Sequence, residues 1–225
     1  MRPELPPGSA ERLEGLLELL QSDPRAPVSV HSVTRAREVH IADSLSGLEL
    51  EELHSAERIA DLGSGAGFPG LVLAISLPSA RVDLIESVSR KCEFLERAIE
   101  RTATANAEVV CERAEAWAAG NGREAYEAVT ARAIGRLATL AELASPLLAT
   151  DGLLVAWKGR RDSEEEAQLE MACRRLAMEP IEVRAVSPYP GSRDRHIHLL
   201  RKNGPTPKGL PRRDGLAAKR PFGSE

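Results

Sequence analysis

The stretch Ile59-Ala60-Asp61-Leu62-Gly63-Ser64-Gly65-Ala66-Gly67-Phe68-Pro69-Gly70 constrains this chain more than any other. Its order reads as a short strand, a glycine-rich turn and the start of a helix, which the apolar run Leu71 to Ile75 continues. Glycines at 63, 65 and 67 let the backbone turn sharply and approach a ligand closely, because no Cβ intervenes. Pro69 suits a first helical turn, where a missing N–H costs nothing, and the free N–H groups of that turn face whatever binds. Two cofactor patterns overlap here. Gly65 to Gly70 satisfies G-x-G-x-x-G, with Glu86 about 20 residues on, as in dinucleotide sites. Asp61-x-Gly63-x-Gly65-x-Gly67 satisfies the acid-x-G-x-G-x-G pattern of S-adenosylmethionine (SAM) enzymes. A carboxylate at the strand end would repel a pyrophosphate but complements the ammonium and sulfonium of SAM. The residues therefore favour SAM, with Asp61 as a simple turn cap the plainer alternative.

A chain of 225 residues, 28% charged and 42% apolar, suffices for one substantial core with an extension or two. The net charge of −4 excludes a uniformly basic nucleic-acid binder and leaves room for local basic segregation. Cys92, Cys111 and Cys173 lie far apart in apolar contexts without a C-x-x-C, so they are expected as reduced core residues, and no metal site is expected. No window approaches the roughly 18 apolar residues of a membrane span. Glu18 interrupts the only leucine-rich run near the N-terminus, which speaks against a signal peptide. A cytoplasmic monomer without membrane association is expected.

Along the chain, Leu13, Leu16, Leu17 and Leu20 fall at helical spacing and predict an amphipathic helix over 11–21. Val28 to Val33 alternates like a brief extended segment, and Thr34 can cap a helix running to about Leu48. His40 and Asp43 sit one turn apart on that helix. A helix-face hydrogen bond explains them most simply, and an RNA or cofactor contact is the alternative. From residue 58, apolar strands alternate with helices, which implies βαβ units and a mainly parallel sheet. Strands are expected at Val82–Glu86, Val109–Cys111, Tyr126–Ala131, Leu153–Trp157, Ile181–Val186 and Ile197–Arg201, and helices over 89–102, 137–148 and 163–178. Ligands of such sheets lie beyond the carboxyl ends of the strands, which places Glu86 for the ribose hydroxyls and Arg132 for a carboxylate or phosphate. After the third strand, Ala114 and Glu115 can border the adenine, or simply start a helix. From residue 203 the chain changes character: Lys208, Arg212, Arg213, Lys219 and Arg220 are interrupted by prolines and glycines. This basic tail reads as a phosphate-contacting arm, independent of cofactor binding, rather than a solvated end.

His40-Ile41-Ala42-Asp43-Ser44-Leu45, the Asp61–Gly70 segment with its Phe68-Pro69-Gly70, and Ser89-Arg90-Lys91-Cys92-Glu93-Phe94-Leu95 together resemble one family. Arg113-Ala114-Glu115, Ala131-Arg132-Ala133, Lys158-Gly159 and the ending Pro211-Arg212-Arg213-Asp214-Gly215 with Lys219-Arg220-Pro221 extend the resemblance over residues 38–221. The family is the bacterial small-subunit ribosomal RNA guanine-N7 methyltransferases of the G type. The resemblance implies an α/β, Rossmann-like class I SAM-dependent methyltransferase with a seven-stranded, mostly parallel sheet and helices on both faces. Its parts would be an N-terminal helical extension (1–57), a SAM-binding domain (58–202) and the basic tail (203–225). It implies SAM contacts at Gly63, Phe68, Ala114, Glu115 and Arg132, beside the Asp61, Gly65 and Glu86 already read from the pattern. The substrate would be one guanine of 16S rRNA, naked or in the 30S particle, with Arg90, Lys91, Lys158, Arg212, Arg213, Lys219 and Arg220 as RNA contacts. Guanine N7 carries no proton, so no catalytic base is expected. The alternatives are a methyltransferase for another RNA, an NAD-dependent oxidoreductase, or an RNA-binding assembly factor without activity.

Overall fold

The computed structural model describes residues 4–28 and 32–223. Residues 29–31 of the expected extended segment lie outside it. Helix α1 (Ser9–Ser22) buries Leu13, Leu16, Leu17 and Leu20, the stripe its spacing predicts. The helix expected from Thr34 to Leu48 is capped slightly earlier, by the Ser32 hydroxyl, and changes its winding repeatedly. It passes through α2 (Val33–Ala36), a π-helical turn (Arg37–Ala42), α3 (Asp43–Leu45) and a 3₁₀ turn (Ser46–Glu49), followed by the short α4 (Glu51–Ser55). Wider π turns inside helices concentrate where side chains must be re-aimed.

The βαβ alternation then holds: β1 (Arg58–Leu62), α5 (Gly70–Ser76), β2 (Arg81–Ile85), α6 (Ser89–Thr102), β3 (Ala107–Val110), α7 (Ala114–Ala119), β4 (Tyr126–Arg132), α8 (Leu137–Ala144) and β5 (Leu148–Lys158). Helix α9 (Ser163–Cys173), β6 (Met178–Ala185), β7 (His196–Lys202) and the short α10 (Leu216–Lys219) complete it. The seven strands lie in the order β3-β2-β1-β4-β5-β7-β6. All neighbouring pairs are parallel except those of β7, which runs against both β5 and β6. The expected seven-stranded, mostly parallel sheet is what forms. One face packs on α1, α5 and α6 through Leu16, Leu71, Val72 and Phe94; the other packs on α8 and α9 through Leu140, Leu147 and Leu169.

Helix α8 stops at Ala144 rather than 148, because Leu148 already pairs with Tyr126 at the start of β5. The cysteine expectation fails for two of the three. Cys92 at the start of α6 and the exposed Cys111 just after β3 form a disulfide, their Cα atoms 5.8 Å apart. Parallel β2 and β3 bring the two together at the carboxyl edge of the sheet, a proximity that their separation in sequence hides. Cys173 is free and buried as expected, its thiol pushed up to about 12 by burial and the nearby Glu170. Among the described residues no metal-ligand cluster exists and no helix is long and apolar enough to cross a membrane.

Asn106 holds the amino ends of this sheet in place. Its side-chain amide reaches the carbonyls of Ala74, Leu77 and Ala80 at 3.0, 3.1 and 2.8 Å, tying the end of α5 to the entry of β3. Asn106→Ala should destabilise the fold by about 1–3 kcal/mol, the cost of stranding partly buried carbonyls, read from the urea midpoint. It should leave ligand affinity at the opposite sheet edge unchanged.

Candidate functional site

Chain reversal between β1 and β4 opens a crevice at the carboxyl edge, the switch point where open α/β sheets bind ligands. The β1–α5 turn occupies it. Gly63, Gly65 and Gly67 all have positive φ, at +64°, +57° and +92°. A Cβ on Gly63 would also lie 2.5 Å from Ile134 Cγ2, so glycine is required there on both counts. Beneath the turn, Asp61 is fully buried. Its Oδ1 accepts from Thr130 Oγ1 at 2.7 Å, an outcome of the β1–β4 register that sets the two residues side by side. Its Oδ2 is buried without a hydrogen-bond partner. Burial pushes the carboxyl up to about 6, against the pull of Thr130 and Ser64.

Two cavities flank this turn. The first, about 280 Å³, lies over β1, β2 and β3 and is lined by Gly63, Glu86, Lys91, Ala114, Glu115 and Ile134, among others. Glu86 Oε1 accepts from the amides of Ser87 and Val88 at 2.8 and 3.0 Å, and Oε2 from Gly65 N–H at 3.2 Å. Lys91 Nζ lies 3.7 Å from Oε2, so this lysine is engaged at the cavity rather than free for phosphate. An acceptor carboxylate on a glycine cradle fits a ribose, and the apolar wall of Ala114 and Ile134 fits a purine. The residues thus suit the adenosine half of SAM.

The C-terminal tail completes this cavity. Ala217 and Ala218 line it, Gly215 N–H donates to Glu115 Oε1 at 2.7 Å, and Thr139 Oγ1 donates to the Ala217 carbonyl at 3.2 Å. Arg212 anchors the tail through paired hydrogen bonds to the buried Glu142 carboxylate, at 2.5 and 2.6 Å. Phe222 packs against the Arg175 and Arg212 guanidiniums, 4.2 and 4.0 Å from its ring centroid. The expectation of a tail independent of the cofactor site is therefore corrected: buried Glu142 captures Arg212 and folds the tail back as a wall. Arg213, Lys219 and Arg220 remain exposed, as does Arg90 at the start of α6.

The second cavity, about 460 Å³, opens over β4 and β5 and is lined by His40, Asp43, Arg132, Trp157, Lys158 and Arg195, among others. Arg132, at the end of β4, points here and not into the first cavity. Its guanidinium donates to the Val39 carbonyl (2.8 Å), Asp43 Oδ2 (3.0 Å) and His40 Nδ1 (3.3 Å) and sits 5.4 Å from the Phe68 ring centroid. The His40 ring stacks on Phe68 with centroids 4.7 Å apart, and burial with the adjacent Arg132 pulls the imidazole down to about 4. Trp157 Nε1 donates to the Asp43 carbonyl, and a Cβ on Gly47 would overlap the indole, so the helical segment packs directly on β5. Lys158 donates to Glu165 at 2.7 Å and to the Gly135 carbonyl at 3.0 Å. The turn Arg132–Gly135 partitions the cavities: Ile134 lines the first, and Arg132, Ala133 and Gly135 line the second.

Of the residues expected at the cofactor, Gly63, Glu86, Ala114 and Glu115 line the first cavity together, and the tail carried no expectation of a place in its wall. Asp61 lies beneath the turn, Phe68 beneath His40, and Arg132 in the second cavity. Trp157 and Arg195 carried no sequence signal. His40 and Asp43 did, yet they meet through Arg132 rather than as the helix-face pair that their spacing suggests.

A seven-stranded sheet with β7 reversed, a glycine turn after β1 and an acidic residue after β2 define a Rossmann-like methyltransferase. A solved predicted O-methyltransferase from Agrobacterium tumefaciens shares the fold, at 27% identity and a TM-score of 0.56 over 73% of this chain and 80% of that one. A Methanococcus jannaschii fibrillarin pre-rRNA processing protein shares it at 16% identity and a TM-score of 0.56, over 72% and 74% of the two chains. Residues 12–198 match the family described as rRNA small subunit methyltransferase G. The chain belongs to that family. Ribosomal RNA small subunit methyltransferase G of Rubrobacter xylanophilus is 41% identical over 81% of this chain and 72% of its own length. The Pelotomaculum thermopropionicum protein of the same name is 38% identical over 87% and 83%.

Two outcomes follow from this geometry. Because burial raises the Asp61 carboxyl above its unfolded value, its favourable contribution is present below about pH 4 and is lost as pH rises through about 6. Asp61→Asn should remove a loss on the order of 2–3 kcal/mol between those limits, measured by chemical denaturation of the ligand-free protein at each pH. Truncation after Leu210 should weaken SAM affinity at least tenfold by calorimetry, since the wall bearing Ala217 is removed; unchanged affinity would make the tail a bystander.

Proposed function

We propose that this chain transfers the methyl group of SAM to N7 of a guanine in 16S rRNA. The cofactor would bind with its adenosine in the first cavity, on Glu86, Ala114, Glu115 and the Gly63 turn, and the acceptor base would enter the second. Bound there, SAM supplies an electrophilic methyl group on a positively charged sulfur. One observation supports the choice of N7: among the described residues around the second cavity the basic groups are engaged by cations, with a single oxygen of Asp43 left over as an acceptor. His40 Nδ1 is occupied by Arg132, and the carboxylates in reach, Asp43 and Glu165, are ion-paired with Arg132 and Lys158. Methylation of an amine or hydroxyl needs a group to take a proton. N7 offers a lone pair and no proton, so as its bond to carbon forms and the sulfur–carbon bond breaks, the chain need only align the reactants.

The acceptor must be unstacked to enter a cavity, which favours a loop of rRNA over a continuous A-form helix. The exposed Arg90, Arg213, Lys219 and Arg220 are suited to its phosphates, while Lys91, Lys158 and Arg212 serve the protein's own carboxylates. Either naked 16S rRNA or the 30S particle fits these features, and a cytoplasmic monomer suffices for the reaction. Labelled SAM incubated with each substrate should yield N7-methylguanosine at a single site, identified by nucleoside analysis. Transfer to adenine, or to a different guanine atom, would overturn the assignment.

A further inference from the structure

Two residues that line the second cavity carry a buried donor and a buried acceptor that the fold leaves unpaired. His40 Nε2 and Asp43 Oδ1 are both buried and both lack a hydrogen-bond partner. Buried polar atoms without partners are uncommon, and each calls for a reason. The state of the imidazole follows from its neighbour. A guanidinium can only donate, so His40 Nδ1, 3.3 Å from Arg132 Nη2, must accept, and the ring proton therefore resides on Nε2. With its pKa held near 4, the imidazole stays neutral at physiological pH. Asp43 engages Arg132 through Oδ2 alone, at 3.0 Å, and keeps Oδ1 for another donor. The two residues stand one turn apart where the π-helical turn Arg37–Ala42 meets α3, and both line the cavity.

A donor beside an acceptor matches one edge of guanine, where the O6 acceptor adjoins the N1–H donor. We infer that His40 Nε2–H and Asp43 Oδ1 read O6 and N1–H of the acceptor base and so select guanine, an inference that rests on the reading of the second cavity as the guanine site. Adenine presents the opposite polarity at both positions, an amino donor and a bare N1, so it would leave both protein atoms facing like partners. Engagement at O6 and N1 leaves N7 free on the adjoining edge for the methyl group. The charge states also suit the reaction. Methylation makes the purine cationic and its N1–H more acidic, so a carboxylate there binds more tightly as the reaction proceeds. A neutral His40 adds no second positive charge beside Arg132.

The test uses the full chain and 30S subunits reconstituted with 16S rRNA carrying guanine, inosine or 2-aminopurine at the methylated position. Inosine keeps O6 and N1–H, whereas 2-aminopurine keeps N7 but lacks both. Wild-type kcat/KM should be within about threefold for guanine and inosine and at least about 100-fold lower for 2-aminopurine, as expected of a site built on buried hydrogen bonds. His40→Ala should lower the guanine rate and shrink the guanine-to-2-aminopurine ratio at least tenfold, with His40→Gln, which retains a donor, restoring part of it. SAM affinity measured on each variant reports whether the fold is intact. A merely structural His40 would slow both bases and leave the ratio unchanged, which overturns the inference, as would efficient wild-type methylation of 2-aminopurine. Failure of the wild type to methylate guanine at all would instead overturn the acceptor assignment itself.

Discussion

The guanidinium of Arg132 is the constraint on which the second cavity depends. It is largely buried, and burial pulls its pKa down against the opposing effect of Asp43. A cation so placed needs its hydrogen bonds met, and the N-terminal helical segment meets them with a carbonyl, a carboxylate and an imidazole nitrogen. Arg132 thereby fastens residues 39–43 to the end of β4. The same contacts fix the His40 tautomer, hold that ring on Phe68, and leave one buried oxygen of Asp43 without a partner. Trp157 adds a second fastening from β5.

The sheet and the glycine turn were legible because their signals are local. Alternation of apolar strands and helices, and three glycines at spacing two, arise from backbone geometry that each segment must satisfy by itself. Helix α6 occupies the expected residues 89–102, with Cys92 and Leu95 inward as the pattern requires. The helical segment from Val33 to Glu49 was legible only in outline. Propensity indicates helix there, but the widening at residues 37–42 answers to Phe68, Arg132 and Trp157, which lie far away in sequence.

Other features depend on pairings that no local pattern records. Cys92 and Cys111 meet because β2 and β3 are parallel neighbours. Arg212 looked like a free cation because its partner, Glu142, lies on the inner face of α8 and read as an ordinary helical glutamate. That one buried carboxylate turns a segment of low apolar content into part of a wall. Arg132 emerges at the carboxyl edge of the sheet as its strand position implies, but that position alone does not tell which side of the partition its side chain takes.

The two ends of the chain wall the two cavities separately. Residues 39–43 wall the second cavity, residues 215–218 wall the first, and the sheet with its glycine turn is the floor they share. Under the proposed assignment, substitutions in either wall are expected to act on one ligand with little consequence for the other. Under that assignment, the division would let the acceptor change by drift in the segment around residues 39–43 while the first cavity stays under separate selection. Changes to the floor enjoy no such freedom, since Gly63 touches the partition and any side chain there disturbs both sides at once.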